Sequence, residues 1–458
     1  MKKILISFLK TVLSKSLKLP RWDLHWVLLL GTLVRLLLMP FSAHPFDVYS
    51  WYKYCTGIIE HGIDLNVILA SIRPFWFLTL IPIAFSYGFL SSITGIRAIS
   101  VENIPHQWNP QYTTKFIPDP LFNILVKTPM LITDVVTTLV LYKLVGQLFG
   151  REKARIASLL FFLNPISIWI SAAWGQYESI PTLFTVLSLY LLLNKKVVSS
   201  ALSLFIATLY KVYPIIFLIP TSIYLYKKCE KRNVMKYYIA FFTPFFIFLL
   251  IGGIELIQNF MGIGHFFSTS NVPEVFGYGL TYWSISMLSP LDFSVWAPLS
   301  ILLIVFLMSI SVYFVLKVNF DTPSRDLTIS TFILFAAGML SFTKVGEPRF
   351  LWLLPFLTLM LIEGIISKKV YVFLSLTSFI YTQKNFPYYL LPIATINQDI
   401  LKPLFEFANP FGKVVEGALL PTPLSAAVLA ILGTLFAIVM LITYMKIIRK
   451  EVIKKNLT

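Results

Sequence analysis

At 458 residues, 57% hydrophobic, 16% aromatic and only 13% charged, the chain is not a soluble globule, in which charged residues run to about a quarter. Its net charge of +17 could suit nucleic acid, but Lys and Arg crowd the termini and short loops between apolar runs: Arg151 to Arg155, Lys195-Lys196, Lys227 to Lys236 and Lys368-Lys369. That pattern reports membrane orientation, with anionic lipid headgroups as partners of the loops and no nucleic acid expected.

Residues 1–22 are basic and amphipathic and lack a small-residue cleavage site, which predicts a cytoplasmic interfacial helix. Apolar runs long enough to span a bilayer then recur along the whole chain. With the basic loops inside, crossings are expected near 24–41, 121–148, 154–173, 178–194, 199–211, 213–227, 236–254, 297–317, 327–343, 350–366, 369–386 and 422–447. These make about twelve, in one domain over 1–458, with both termini cytoplasmic and 448–458 as a tail. The stretch 76–93 is apolar enough to span, but counting it would put Arg151 to Arg155 outside, so it is read as a re-entrant or surface helix broken by Pro74 and Pro82. The expected fold is therefore an all-α polytopic membrane protein with a long outer first loop, 42–120. Cys55 and Cys229 fall on opposite sides, so no disulfide is expected, and no Cys/His cluster has metal-ligand spacing.

Acids gather on the outer segments, Asp47, Glu178 and Glu347 among them, which makes the outer face the working face of a cell-membrane protein. Asp47 follows the first apolar run in Ala43-His44-Pro45-Phe46-Asp47, where a carboxylate suits proton transfer on a lipid-anchored substrate or simply starts a surface helix. Lys211, in Tyr210-Lys211-Val212-Tyr213-Pro214, is either a functional intramembrane charge or a lysine snorkelling to the interface. Lys344 and Arg349 flank a tight outer turn before an apolar helix and suit an anion, or form a plain turn with a Glu–Arg pair. Trp174-Gly175-Gln176-Tyr177-Glu178 offers ring faces and polar groups for a sugar, or belongs to an interfacial aromatic belt. Lys127 and Asp134 sit two turns apart on one helical face, as an ion pair or as part of a cavity wall.

These fragments together resemble the GT-C superfamily of integral-membrane glycosyltransferases that use polyprenyl-phosphate sugars, and most closely prokaryotic and archaeal relatives of dolichyl-phosphate-mannose-dependent mannosyltransferases. Arg35 with His44-Pro45-Phe46-Asp47 is similar to the family's first-loop acid. Asn164-Pro165 through Trp174-Gly175-Gln176-Tyr177-Glu178-Ser179 resembles its "NP…WGQxDS" turn, and Lys211-Val212-Tyr213-Pro214 its "K…P" half-helix. Lys344 to Pro355 is similar to its basic outer turn. The chain departs from the glycosylphosphatidylinositol mannosyltransferase branch, because Val48 and Tyr49 follow Asp47 where that branch has Asp-x-Asp.

The resemblance implies inverting transfer of a hexose, mannose favoured, from a polyprenyl-phosphate sugar to a glycan or glycolipid hydroxyl at the outer face. Asp47 is then the general base, and Arg349, Lys344 and Lys211 bind the donor phosphate. His44, Trp174, Gln176, Tyr177 and Glu178 bind sugar or acceptor, and no metal or other cofactor is expected. The alternatives are a multispanning transporter or lipid flippase, a metal-dependent oligosaccharide transferase, and a non-catalytic scaffold.

Overall fold

A computed structural model describes residues 23–44, 47–64, 74–105, 113–261, 280, 293–341, 346–383, 386, 388–400, 403, 412–415, 418–421 and 423–456. The N-terminal stretch 1–22 and the turn residue Lys344 lie outside these. The chain enters along α1 (Leu24–Leu38), and a short strap leads to α2 (Asp47–His61), which carries four buried residues on one stripe and Asp47 at its first position. Helix α3 (Pro74–Thr94) runs unbroken through Pro82. A bulged hairpin follows, β1 (Ile99–Pro105) with β2 (Thr113–Ile117), in antiparallel register from Ile99–Ile117 to Pro105–Thr113. Next come α4 (Pro120–Phe149), α5 (Arg151–Phe162) and the single-turn α6 (Pro165–Ile168), which opens directly into a π-helix, Trp169–Trp174.

The chain continues through α7 (Ser179–Leu193), α8 (Val197–Tyr210), a 3-10 turn at Tyr213–Phe217, α9 (Leu218–Lys228) and α10 (Lys231–Met261). After α11 (Phe293–Lys317) and α12 (Pro323–Ser341), a 3-10 turn at Glu347–Arg349 leads into α13 (Phe350–Ile362) and then α14 (Lys368–Thr382). A 3-10 segment, Tyr388–Thr395, and a second hairpin, β3 (Gly412–Val415) with β4 (Ala418–Pro421), precede α15 (Pro423–Asn456). The two hairpins depart from the purely helical expectation. The first falls within the expected outer loop 42–120, and both lie where no apolar period dictates a helix.

By length and composition, Phe75–Thr94, Pro120–Phe149 and Ala426–Glu451 are the described helices that can each cross a bilayer, and α5 with the Pro165–Trp174 stretch, bent by 49°, is either a broken span or a re-entrant loop. Shorter apolar helices accompany them, among them Leu24–Leu38, Ser179–Leu193 and Val197–Tyr210. About twelve full crossings are not established by this measure. The physical reason is that polar turns cut several apolar runs into helices shorter than a bilayer is thick.

Contacts sort the turns into two ends. At one end Arg155 meets Asp23 at 2.7 Å, Lys228 meets Asp321 at 2.9 Å, and Arg325 joins Glu451 near the end of α15. At the other end the strap before α2, the Trp174 turn, Lys211 and the 388–395 segment converge. Helix α3 belongs with this second end. Trp76 stacks on Tyr177 at the start of α7 (4.4 Å, 13°), and three turns later Tyr87 donates at 2.6 Å to Asp119, the N-cap of α4. Between them Cys55 of α2 reaches the Leu80 carbonyl and Ile59 lies against Gly88. Pro82 does not break the helix, contrary to the expectation from sequence. Its missing N–H costs one ladder bond, which an apolar helix tolerates when its neighbours hold it.

Apolar side chains of α4 to α15 form the main core, and a second core of Trp51, Trp76, Phe122, Val126 and Tyr177 lies beneath the strap. One buried ion pair joins the first third of the bundle. Arg35 and Asp134 meet at 3.0 Å with both side chains fully buried, and Arg35 also donates to Ser167, Ser171 and the carbonyls of Gly31 and Phe162. Asp134 therefore pairs with α1, not with Lys127 on its own helix.

Candidate active site

The turn that carries the site begins at Asn164. Its side chain accepts the Ile166 amide at 3.1 Å and donates to Tyr371 and Ser375, while Pro165 occupies the first helical position. This is the N-cap and proline pairing that starts a helix at low cost, and it sets the 49° bend. The π-helix that follows is a rare wide turn found preferentially at functional positions. It closes at Gly175, whose φ of +84° is left-handed, and the amides of Gly175 and Gln176 share the Ile170 carbonyl at 3.0 Å. A Cβ on Gly175 would stand 2.8 Å from Cε of Lys127, so both backbone and space demand glycine.

That turn presents two donors to one carboxylate oxygen. Trp174 Nε1 and Gln176 Nε2 reach Asp47 Oδ2 at 2.7 and 2.6 Å. Among the described residues, nothing donates to the other oxygen, Oδ1. His44 stacks flat on Trp174 at 4.5 Å and 6°. Its Nδ1 accepts the Asp47 amide at 3.3 Å and stands 3.5 Å from Oδ2. The strap is tied at both sides. Ala43 donates its amide to Tyr389 O at 2.8 Å, and His44 to Trp174 O at 3.0 Å. Tyr389 packs beside both rings.

A second cluster adjoins the first. Glu178, 3% exposed, pairs with Lys211 at 2.9 Å and accepts Trp352 Nε1 at 2.7 Å. Lys211 occupies the extended break between α8 and the 3-10 turn, so the proline-marked half-helix expected from sequence is where the chain opens. Its ammonium lies 4.7 Å over the Tyr177 ring, and Trp352 stacks on Tyr213 at 3.4 Å. Arg349 ends the 3-10 turn and precedes Trp352 by three residues, which puts both on one helical face.

The structure thus gathers Asp47, His44, Trp174 and Gln176 around one carboxylate, and Glu178, Lys211 and Tyr177 in the adjoining cluster. Tyr177 is fully buried between Trp76 and Lys211, and one face of Trp174 is already covered by His44. Lys344 falls outside the described residues. Trp352 and Tyr389 do not stand out in the sequence as site residues, Trp352 because it lies within the apolar run 350–366 expected to be a crossing. Among the described residues, no three His, Cys, Asp or Glu side chains gather closely enough to hold a metal ion.

Comparison with known proteins gives the class first. Residues 112–291, less than half of the chain, match the family model "GPI transamidase subunit PIG-U". Similar proteins include GPI mannosyltransferase 1 proteins of yeasts. That of Candida albicans is 40% identical over 101 residues (21% of this chain, 25% of the relative), and that of Saccharomyces cerevisiae 30% over 130 residues (28% and 32%). That of Debaryomyces hansenii is 31% identical over 131 residues (27% and 28%). The chain therefore spans about a quarter to a third of the length of the curated relatives it matches. This is a helical membrane protein similar in sequence to GPI mannosyltransferases. An affiliation with a prokaryotic or archaeal branch is not supported. The similarity runs instead to proteins named for the glycosylphosphatidylinositol branch, although Val48 and Tyr49 stand where that branch's paired acids were expected.

Proposed function

We propose that this protein transfers mannose, with inversion, from a polyprenyl-phosphate donor to a hydroxyl of a glycolipid of the glycosylphosphatidylinositol type, and that Asp47 is the general base. The observation that carries the reading is the Asp47 carboxylate, with Oδ2 held by Trp174 and Gln176 and Oδ1 left for an incoming hydroxyl. The acceptor oxygen attacks the anomeric carbon as its proton passes to Oδ1. The bond from that carbon to the phosphate oxygen breaks, and its electron pair leaves with the polyprenyl phosphate. A positioned base contributes about 10²–10⁴ in rate.

Lys211 and Arg349, with Lys344, meet the charge that grows on the departing phosphate, and preorganised charge of this kind often does more for the rate than any other single effect. His44, Trp174 and Gln176 border the space for sugar and acceptor. Tyr177 packs against Lys211, and Glu178 pairs with Lys211 until the donor phosphate competes for it. A monophosphate leaving group met by fixed cations requires no metal. The reaction face is the outer one, with the basic turns and both termini in the cytoplasm.

The test is transfer from radiolabelled polyprenyl-phosphate mannose, against the glucose donor, to an inositol glycolipid in proteoliposomes with EDTA, comparing wild type with Asp47→Asn. The asparagine oxygen still accepts from Trp174 and Gln176, so the fold of the site is kept while the base is lost. Metal-independent mannosyl transfer that collapses in the variant supports the reading, and full activity in Asp47→Asn overturns it. The match to a GPI transamidase subunit favours a second reading, a glycolipid-binding subunit without transferase activity. Glycolipid binding without transfer from either donor would favour that one.

A further inference from the structure

Lys127 is a buried basic residue that the reaction described above does not use. It lies on α4 with no exposed surface, and its helical neighbour Asp134 is committed to Arg35. Among the described residues, no carboxylate pairs with it. Its Nζ instead donates to three backbone carbonyls, those of Met39 at 3.0 Å, Ser42, and Ala173 at 3.5 Å. Three acceptors match the three protons of an ammonium group. Two of the carbonyls belong to the strap that ends in Asp47. The third belongs to the π-helix that ends in Trp174. The stem of the lysine fills the space beside Gly175, with Val48 on the same side.

We propose that Lys127 is a positioning residue for the transfer reaction: it clamps the Asp47 strap to the Trp174–Gln176 turn by binding a carbonyl from each. The proposal rests on the reading of Asp47 as base. An apolar side chain of the same length would fill the space equally well, but would leave the carbonyls without a donor and the two arms free to part. Reaction geometry is sensitive to such movement, because a displacement of about 1 Å can cost on the order of 10² in rate. A clamp of this kind acts on turnover more than on donor affinity, since the phosphate cations Lys211 and Arg349 sit on other elements.

The experiment is a double-variant cycle with the full chain in proteoliposomes, using radiolabelled polyprenyl-phosphate mannose and comparing wild type, Lys127→Met, Asp47→Asn and the pair combined. Lys127→Met is expected to lower kcat on the order of 10²-fold while donor KM stays within about twofold, and to have no further effect on the residual rate of Asp47→Asn. Losses that multiply in the combined variant, or an unchanged kcat in Lys127→Met, would overturn the proposal. Failure of the base reading shows separately, as full activity in Asp47→Asn alone. Should Lys127→Met not fold, Lys127→Arg keeps donors for the carbonyls but is too long for the space beside Gly175. It is expected to show the same split between kcat and KM, and a raised donor KM with unchanged kcat in it would count against the clamp.

Discussion

Trp174 donates its indole N–H to Asp47 at 2.7 Å across 127 residues of chain, and Gln176 donates to the same oxygen at 2.6 Å. A hydrogen bond to a charged group is worth about 1.5–3 kcal/mol, and about 1.4 kcal/mol is tenfold in rate. Trp174→Phe and Gln176→Leu should therefore each lower kcat by roughly 10- to 100-fold. Initial rates in proteoliposomes would check this, and a Trp174→Phe variant with wild-type turnover would leave Oδ2 needing no support.

The Glu178–Lys211 pair predicts opposite signs for its two members. Under the proposed mechanism Lys211→Met removes a cation from the departing phosphate and should cost on the order of 10²–10³ in kcat. Glu178→Gln keeps an acceptor for Trp352 while removing the charge that competes for Lys211, so donor KM should fall. A rise in KM would mean that Glu178 aligns the lysine.

Stability should depend most on Arg35 and Asp134. Breaking a buried pair by removing one partner costs about 3–5 kcal/mol, because the other charge is left uncompensated. Asp134→Asn is expected to lower the unfolding midpoint in detergent sharply. The paired replacement Arg35→Met with Asp134→Leu should recover part of it, and an Asp134→Asn protein as stable as wild type would mean that the pair does not hold the bundle together.

Burial in α2 pushes the Cys55 thiol from its ordinary value of 9.0 up to about 12. The thiolate is disfavoured in the fold, so this contribution to stability is complete below pH 9.0 and is lost as pH rises towards about 12. Maleimide at pH 8 should accordingly modify Cys229 and spare Cys55 in the folded protein. Cys55→Ala should flatten the alkaline part of the stability curve, and an unchanged slope would assign that loss to other groups.

The two ends of the bundle are legible in the sequence because charge sorting is local. Arg151 to Arg155 and Lys227 to Lys236 mark one end, and Asn164-Pro165 with Trp174-Gly175 marks a helix break and a glycine-closed turn at the other. The partners are less legible. Lys127 and Asp134 share a helical face, and only the packing of α1 and the strap against α4 decides that each bonds elsewhere. Pro82 reads as a breaker in isolation, yet α3 continues through it with α2 and the N-cap of α4 bonded to it. The hairpins at 99–117 and 412–421 follow from pairing between segments, which no single run of residues announces.

Ala43 and His44 are held by Tyr389 from the far end of the chain, and Glu178 by Trp352. The site is in this sense indivisible. A fragment cut to residues 112–291 would keep Trp174, Gln176, Glu178 and Lys211 and lose Asp47, Trp352 and Tyr389. Domain shuffling could not pass this arrangement of side chains on in modules, and any descendant that keeps it must inherit the chain from the Ala43 strap to the Tyr389 segment.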